Sequence, residues 1–261
     1  MLRTRVIPAL LIDRGALVKT RNFGRKRYVG DPCNTLRIFN ELEVDELVVL
    51  DISASREGRE PDWELLRDIA SECFMPLAYG GGLRTFEQAQ RVFGIGFEKV
   101  VVNSHAHERP EILREIADVY GSQAVVASID VRRDWLGRER VVSHSARRRH
   151  GSDPVAWARE VESLGAGEIL LTSVDREGTW SGYDVDLIRG VADAVGIPVI
   201  AHGGAASVSD IVTAVREGHA SSVAVGNMVV FQKQHCGVLV NFPERHELER
   251  SLGDPGTVLH V

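Results

Sequence analysis

Eight short runs rich in β-branched residues punctuate the chain: Arg5–Ile12, Leu47–Asp51, Pro76–Tyr79, Lys99–Asn103, Val125–Asp130, Glu168–Ser173, Pro198–Ala201 and Ser222–Gly226. Each is nearly apolar throughout, as a strand buried on both faces must be. Between them lie amphipathic segments of helical length, for example Asp31–Glu43 and Asp153–Leu164. Both open on an Asp-Pro pair. Aspartate caps the first free N–H groups, and proline at the first helical position has no N–H to leave unsatisfied. Strict alternation of such strands and helices predicts a parallel sheet. Eight units close it, so the expected fold is α/β: a single-domain (β/α)8 TIM barrel over residues 1–261, whose length is near the usual ~250.

The pattern also repeats. The stretch Pro76–His105 reads as a strand, a triple glycine (Gly80–Gly82), a helix opened by Thr85 and a second strand ending on Asn103-Ser104. The same plan returns without a gap from Pro198 to Asn227, at an offset of 122 residues (198 − 76). Gly81-Gly82 falls on Gly203-Gly204, and Ser104 on Gly226. Two similar half-barrels are therefore expected. Glycine lets an anion approach the N–H groups at a helix start, where the dipole favours negative charge. A single Gly-Gly would be read as a tight turn; a pair in register points to two phosphate cradles.

Charge refines this picture. The net charge of −6 and pI near 5.9 argue against nucleic acid or an anionic membrane as partner. Two long connections are nevertheless basic. Thr20–Gly30 carries Arg21, Arg25, Lys26 and Arg27, and Val131–Ser152 carries Arg132, Arg133, Arg138, Arg140 and Arg147–Arg149 around a hairpin tip at Trp135-Leu136-Gly137. Both follow strands and so belong to the C-terminal mouth, where barrels build their sites. An anionic ligand is the expectation. Cys33, Cys73 and Cys236 form no CxxC pair, and the apolar run Ile7–Ile12 is too short for a signal core or a span, which fits a cytoplasmic protein.

Catalytic candidates are the carboxylates at strand ends, Asp51, Asp130 and Asp175. Asp130 ends its strand in apolar company, where burial raises a carboxyl toward general acid–base use. The rival reading is a carboxylate satisfied by backbone N–H groups. Asp175 heads Asp-Arg-Glu-Gly-Thr, whose Gly178-Thr179 adds possible phosphate donors, and Thr172 and Ser173 put hydroxyls on the same rim. Trp180, in the sixth loop, reads either as a cap on the mouth or as simple packing. His105-x-His107 lacks a third ligand, and His202, just before Gly203-Gly204, reads more simply as structural than as catalytic. Neither a metal nor a cofactor is expected.

The residues GGG (80–82), ASID (127–130), GAGEILLTSVDREGTWSGYD (165–184) and PVIAHGG (198–204) resemble HisF, the cyclase subunit of imidazole glycerol phosphate synthase. The resemblance runs from Met1 to about Val230. It implies a bis-phosphorylated ribonucleotide across the mouth and a HisH-type glutaminase docked as a heterodimer on the N-terminal face, sending ammonia through the barrel. Family phosphate positions match Gly82, Asn103 and Ser104 on one side. On the other they match Asp175, Gly178, Gly203, Gly204, Gly226 and Asn227. Lys19, in the first loop, falls on a substrate contact. At the strand starts Arg5, Glu46, Lys99 and Glu168 alternate in sign and match the family's ammonia gate. Glu46 and Glu168 are related by the same 122-residue offset (168 − 46), so they are expected to face each other across the barrel.

One position departs from the family. HisF chemistry uses two aspartates; one is Asp130, but the other falls on Leu11, with Asp13 a weak substitute two residues on. The segments IPALLIDRGALVKT (7–20), REGREPDWELL (56–66), SECFMPLAYGGG (71–82) and FQKQHCGVLVNFP (231–243) are more similar to WbuZ-type HisF-like proteins, associated with glycosyl amidation in surface-polysaccharide gene clusters. That resemblance implies a separate sugar amidotransferase as recipient of the ammonia. The alternatives are a histidine-pathway lyase forming imidazole glycerol phosphate and AICAR from PRFAR and ammonia, a catalytically dead scaffold, and a HisA-type sugar isomerase.

Overall fold

The computed structural model describes residues 4–234 and 236–253. Residues 1–3, 235 and 254–261, part of the single domain expected over the chain, lie outside the described residues. The strands are β1 (Arg5–Asp13), β2 (Ala16–Lys19), β3 (Arg27–Gly30), β4 (Leu47–Asp51), β5 (Leu77–Gly80) and β6 (Lys99–Val102). They continue with β7 (Val125–Arg133), β8 (Glu139–Ser143), β9 (Arg148–Arg149), β10 (Glu168–Ser173), β11 (Val199–His202) and β12 (Ser222–Val225). The helices are α1 (Pro32–Glu41), α2 (Ala54–Glu57), α3 (Trp63–Glu72), α4 (Phe86–Ile95), α5 (Glu111–Tyr120), α6 (Pro154–Ser163), α7 (Val185–Ala192), α8 (Val208–Arg216) and α9 (Arg245–Leu252).

Eight of the strands are parallel and run in the order β10-β11-β12-β1-β4-β5-β6-β7, and the β7–β10 pairing closes the ring. This is the expected (β/α)8 barrel. Alternate residues of each strand point outward into a shell under the helices (Leu10, Ile12, Tyr79, Ile169) or inward. The inward set, including Ile7, Ala9, Val48, Val101, Leu170 and Ile200, packs the lumen. Asp31 and Asp153 cap α1 and α6 as their sequences predict, accepting from Asn34 N at 2.9 Å and from Val155 N at 2.9 Å. Among the described residues no helix is long and apolar enough to cross a membrane.

The internal repeat holds down to single hydrogen bonds. Thr85 and Gln88 form a capping box at the start of α4, and Ser207 and Asp210, 122 residues later, form one at the start of α8. A Cβ on Gly81 would come within 2.5 Å of the Asp51 carbonyl oxygen, and one on Gly203 within 2.7 Å of that of Ser173, the same pair displaced by the offset. Both glycines also take positive φ, 126° and 99°. The cradle glycines are therefore required by close backbone approach, whatever they bind.

Two features differ from expectation. Asp13-Arg14-Gly15-Ala16 turns the chain back, so Lys19 lies at the end of β2, hydrogen-bonded against β1, and not in a loop. The connection expected as Thr20–Gly30 ends in strand β3. The first and fifth barrel strands, β1 and β7, are each nine residues long and overrun the ring into an antiparallel excursion, β2–β3 in one case and β8–β9 in the other. Asp134–Arg138 forms the tip of the second, leaving Trp135 exposed.

Candidate active site

Both excursions fold over the C-terminal mouth, and Asp130 on β7 lies beneath them. Its carboxylate is buried, accepts from Asn103 Nδ2 at 2.8 Å, and faces Thr172, its direct partner in the β7–β10 register. Burial is the dominant influence and lifts the group to about 7; the Asn103 and Thr172 hydrogen bonds pull the other way. Asp130 therefore exchanges a proton near neutrality. Asn103 Oδ1, by contrast, is buried without a hydrogen-bond partner and remains open to a donor.

The other strand-end carboxylates are occupied. Asp51 Oδ1 accepts from Ser53 N (2.9 Å), Ser53 Oγ (2.8 Å) and Ala54 N (2.9 Å), and Arg59 lies 3.5 Å from Oδ2. The reading of a carboxylate satisfied by its own loop thus describes Asp51 and not Asp130. Asp175 lies on the rim, accepts from Arg133 N at 2.8 Å, and lines neither cavity described below. The β1 strand does continue to Asp13, but its carboxylate pairs with Lys26 at 2.6 Å and also lines neither cavity.

Leu11, buried on the lumen side of β1, separates two cavities and lines both. The larger holds Asp130, Thr172, Gly80–Gly82, Asn103 and Ser104, with Lys26, Arg56, His105 and His144 at its entrance. Gly82 N donates to Ser55 Oγ at 3.1 Å, and Ser104 Oγ accepts from His144 N at 3.0 Å. The smaller is walled by Gly178, Gly203, Gly204, Gly226 and Asn227, with Trp180 at its side. The two sequence-predicted cradles are thus brought to one mouth, except for Asp175. Lys19 reaches the smaller cavity from β2; burial lowers it to about 8, opposed by Glu177, and its ammonium donates to the Ala9 carbonyl. Glu177, which the sequence reading passed over for Asp175 in the same run, is buried, accepts from Thr20 Oγ1 (2.9 Å) and Phe23 N (3.1 Å), and is raised by that burial.

His202 lines both cavities and holds Thr172 Oγ1 at 3.1 Å through Nδ1. Burial, with a smaller contribution from Lys19, lowers it to about 3, so the ring is neutral. His107 stacks on His150 (centroids 3.8 Å apart) and on Trp157 (4.4 Å). Among the described residues no group of three or more His, Cys, Asp or Glu side chains is placed to hold a metal ion. Arginines of the β7–β9 excursion are paired within it and with neighbouring segments: Arg138 with Asp134 (3.0 Å), Arg133 with Asp184 (3.1 Å) and Arg148 with Glu108 (2.7 Å). Its arginines do not line the cavities, which corrects the expectation that both loops bring their charge to the ligand.

At the opposite end of the lumen four side chains close a ring. Arg5 contacts Glu46 at 2.5 Å and Glu168 at 2.8 Å, and Lys99 contacts the same two carboxylates at 2.8 and 3.0 Å. Charges alternate and cancel. Between this ring and the mouth a small cavity remains, walled by Ile7, Val48, Val101, Leu170 and Ile200 above Glu46.

Comparison with known proteins places these observations in a lineage. Residues 5–235 match the family described as histidine biosynthesis protein. "Putative imidazole glycerol phosphate synthase subunit hisF2" of Pseudomonas aeruginosa is 46% identical over 249 residues, covering 95% of this chain and 99% of that protein. "Putative imidazole glycerol phosphate synthase subunit HisF" of Leptospira borgpetersenii is 44% identical over 250 residues (95% and 98%). "Putative imidazole glycerol phosphate synthase subunit hisF3" of Vibrio vulnificus is 41% identical over 253 residues (97% and 97%).

Proposed function

Because this chain belongs to the histidine biosynthesis protein family and, within it, to the HisF proteins, we propose that it is the ligand-binding, ammonia-accepting subunit of a glutamine amidotransferase complex. The observation that carries the reading is one lumen with two differentiated ends: a pair of glycine cradles flanking Asp130 at the mouth, and a neutral ring of four charges at the base. A phosphorylated small molecule spans the mouth. Gly82, Asn103 and Ser104 hold one phosphate; Gly178, Gly203, Gly204, Gly226 and Asn227 hold the other, with Lys19 supplying positive charge. A HisH-type glutaminase docks on the N-terminal face. Its ammonia passes the ring formed by Arg5, Glu46, Lys99 and Glu168, and crosses the cavity above Glu46 to reach Asp130. Ammonia needs little more room than water, and a site without competing water retains it as a nucleophile.

Leu11 favours amidation of a surface-polysaccharide sugar as the purpose, with a separate sugar amidotransferase receiving the ammonia, because leucine exchanges no proton where the family cyclase uses an aspartate. The second reading, the cyclase of histidine biosynthesis, draws on Asp130 in its proton-sharing state and on the names of the curated relatives. Two experiments test these readings. Glu168→Trp is expected to abolish glutamine-dependent amidation by the assembled complex while sparing activity with ammonium chloride; an equal loss of both, or no change in either, refutes the conduit. Complementation of a histidine auxotroph lacking its own cyclase subunit selects the second reading, and failure to complement refutes it.

A further inference from the structure

The two mouth cavities share one titratable side chain, His202, whose place before Gly203-Gly204 could face substrate but reads more simply as structural. Only one of its ring nitrogens has a protein partner among the described residues: Nδ1 lies 3.1 Å from Thr172 Oγ1. Thr172 in turn stands opposite Asp130 in the β7–β10 register, and its hydroxyl favours the ionised carboxylate. A hydroxyl has a single hydrogen to give. Directed at Asp130, it leaves the Thr172 oxygen to accept from Nδ1–H, and Nε2 then presents a bare lone pair. That nitrogen faces the second cradle. A methyl group on Gly226 would stand 4.0 Å from His202 Nε2 and 3.2 Å from Lys19 Nζ. Lys19 is tied to the Ala9 carbonyl and Glu177 to Thr20 and Phe23, so the other ionisable groups packed here already have partners.

We infer that Asp130, Thr172 and His202 form a proton relay in which His202 Nε2 is the second acid–base group of the mouth, serving the ammonia addition that Leu11 leaves without a second carboxylate. The inference deepens the second reading above, the cyclase of histidine biosynthesis, and rests on it. The ammonia lone pair forms a C–N bond to a carbonyl carbon of the phosphorylated ligand. The C=O π pair moves to oxygen, which takes the proton of Asp130 in its acid form. The nitrogen passes its surplus proton to His202 Nε2. In the same movement Nδ1–H passes to Thr172 Oγ1, which hands its own hydrogen to Asp130, so the ring that burial keeps neutral carries no full charge. The product is a carbinolamine, and nothing is oxidised or reduced. Its hydroxyl then leaves as water with the Nε2 proton while Asp130 returns a hydrogen through Thr172 to Nδ1, and the iminium that results gives its proton to Asp130, which restores the starting tautomer. Nδ1 is 3.1 Å from the Thr172 oxygen, within hydrogen-bond reach for its leg of the relay.

The test has two arms, both on the full chain. The first is 15N NMR of histidine-labelled protein, with His202 assigned by the loss of its signals in His202→Gln. The expected result is the Nδ1–H tautomer at neutral pH, converting toward Nε2–H in Thr172→Val. An Nε2–H tautomer in the unmodified chain, or no response to Thr172→Val, overturns the relay. The second arm measures turnover of PRFAR with ammonium chloride in place of the glutaminase. His202→Gln should lower kcat on the order of 10²-fold, the loss typical of one positioned acid–base group, with KM changed less than about threefold. An unchanged kcat, or a loss confined to KM, overturns the catalytic role. If the unmodified chain turns over no PRFAR while the NMR shows the relay intact, the ammonia-addition reading of the mouth is overturned, and with it the role assigned to Nε2, although the hydrogen-bonded chain stands.

Discussion

Replacing Lys99 by methionine tests whether the ring at the base of the barrel is a structural unit. Lys99 makes two of its four contacts, at 2.8 Å to Glu46 and 3.0 Å to Glu168. The side chains of those carboxylates are 6% and 12% exposed, so water replaces little of the lost pairing. In Lys99→Met both depend on Arg5 alone, and a neutral ring becomes one with net charge −1. Breaking a buried ion pair costs about 3–5 kcal/mol. The Arg5 side chain is 26% exposed and admits some solvent, which puts the expectation at the lower end, about 3 kcal/mol. For a chain of this length that is roughly a 6–12 °C fall in melting temperature. The double variant Lys99→Met/Glu168→Gln restores neutrality while Arg5 keeps Glu46, so most of the loss should return. Thermal and urea unfolding followed by circular dichroism measure both, and a double-mutant cycle isolates the coupling. A single-variant cost under about 0.5 kcal/mol, or strictly additive losses, would show that the four charges are independent surface groups and refute the reasoning.

Three further outcomes are expected. Leu11→Asp should raise PRFAR turnover with ammonium chloride, within the 10²–10⁴-fold range of a restored acid–base group, at some cost in melting temperature from lost apolar burial; no gain would show that this position does not limit the chemistry. Asp130 is raised in the folded state to about 7 from an unfolded value near 3.8, so the folded chain binds its proton more tightly and stability from this group falls as pH rises from about 4 to 7. Asp130→Asn should flatten that part of the stability–pH curve, and an unaltered slope would mean the carboxyl is not desolvated as the structure indicates. In Gly204→Ala the new methyl would come within 2.1 Å of the Gly182 carbonyl oxygen at φ +106°, so calorimetric titration with inorganic phosphate should lose the binding step of the smaller cavity and keep that of the larger; two unchanged steps would place the second anion elsewhere.

What the chain declares locally was legible without coordinates. Strand period, the Asp-Pro starts of α1 and α6, and the Gly-Gly cassettes act over a few residues, so they predicted eight strand–helix units and their duplication. Even the charged strand starts could be read, because a 122-residue offset between Glu46 and Glu168 translates into opposite sides of a two-fold barrel. The fate of each strand-end carboxylate could not be read in this way. Asp51 and Asp130 look alike in sequence. The first accepts from the N–H groups of Ser53 and Ala54, two and three residues on, whereas the second meets Asn103 and Thr172, 27 and 42 residues away, and is desolvated by burial. The same distance in sequence hid the choice of Glu177 over Asp175 and the pairing of Arg133 with Asp184 and of Arg148 with Glu108. Hydrophobic period and helix caps are local properties. The direction of a lone pair and the loss of water around it depend on which distant segments arrive, and only closure of the barrel decides that.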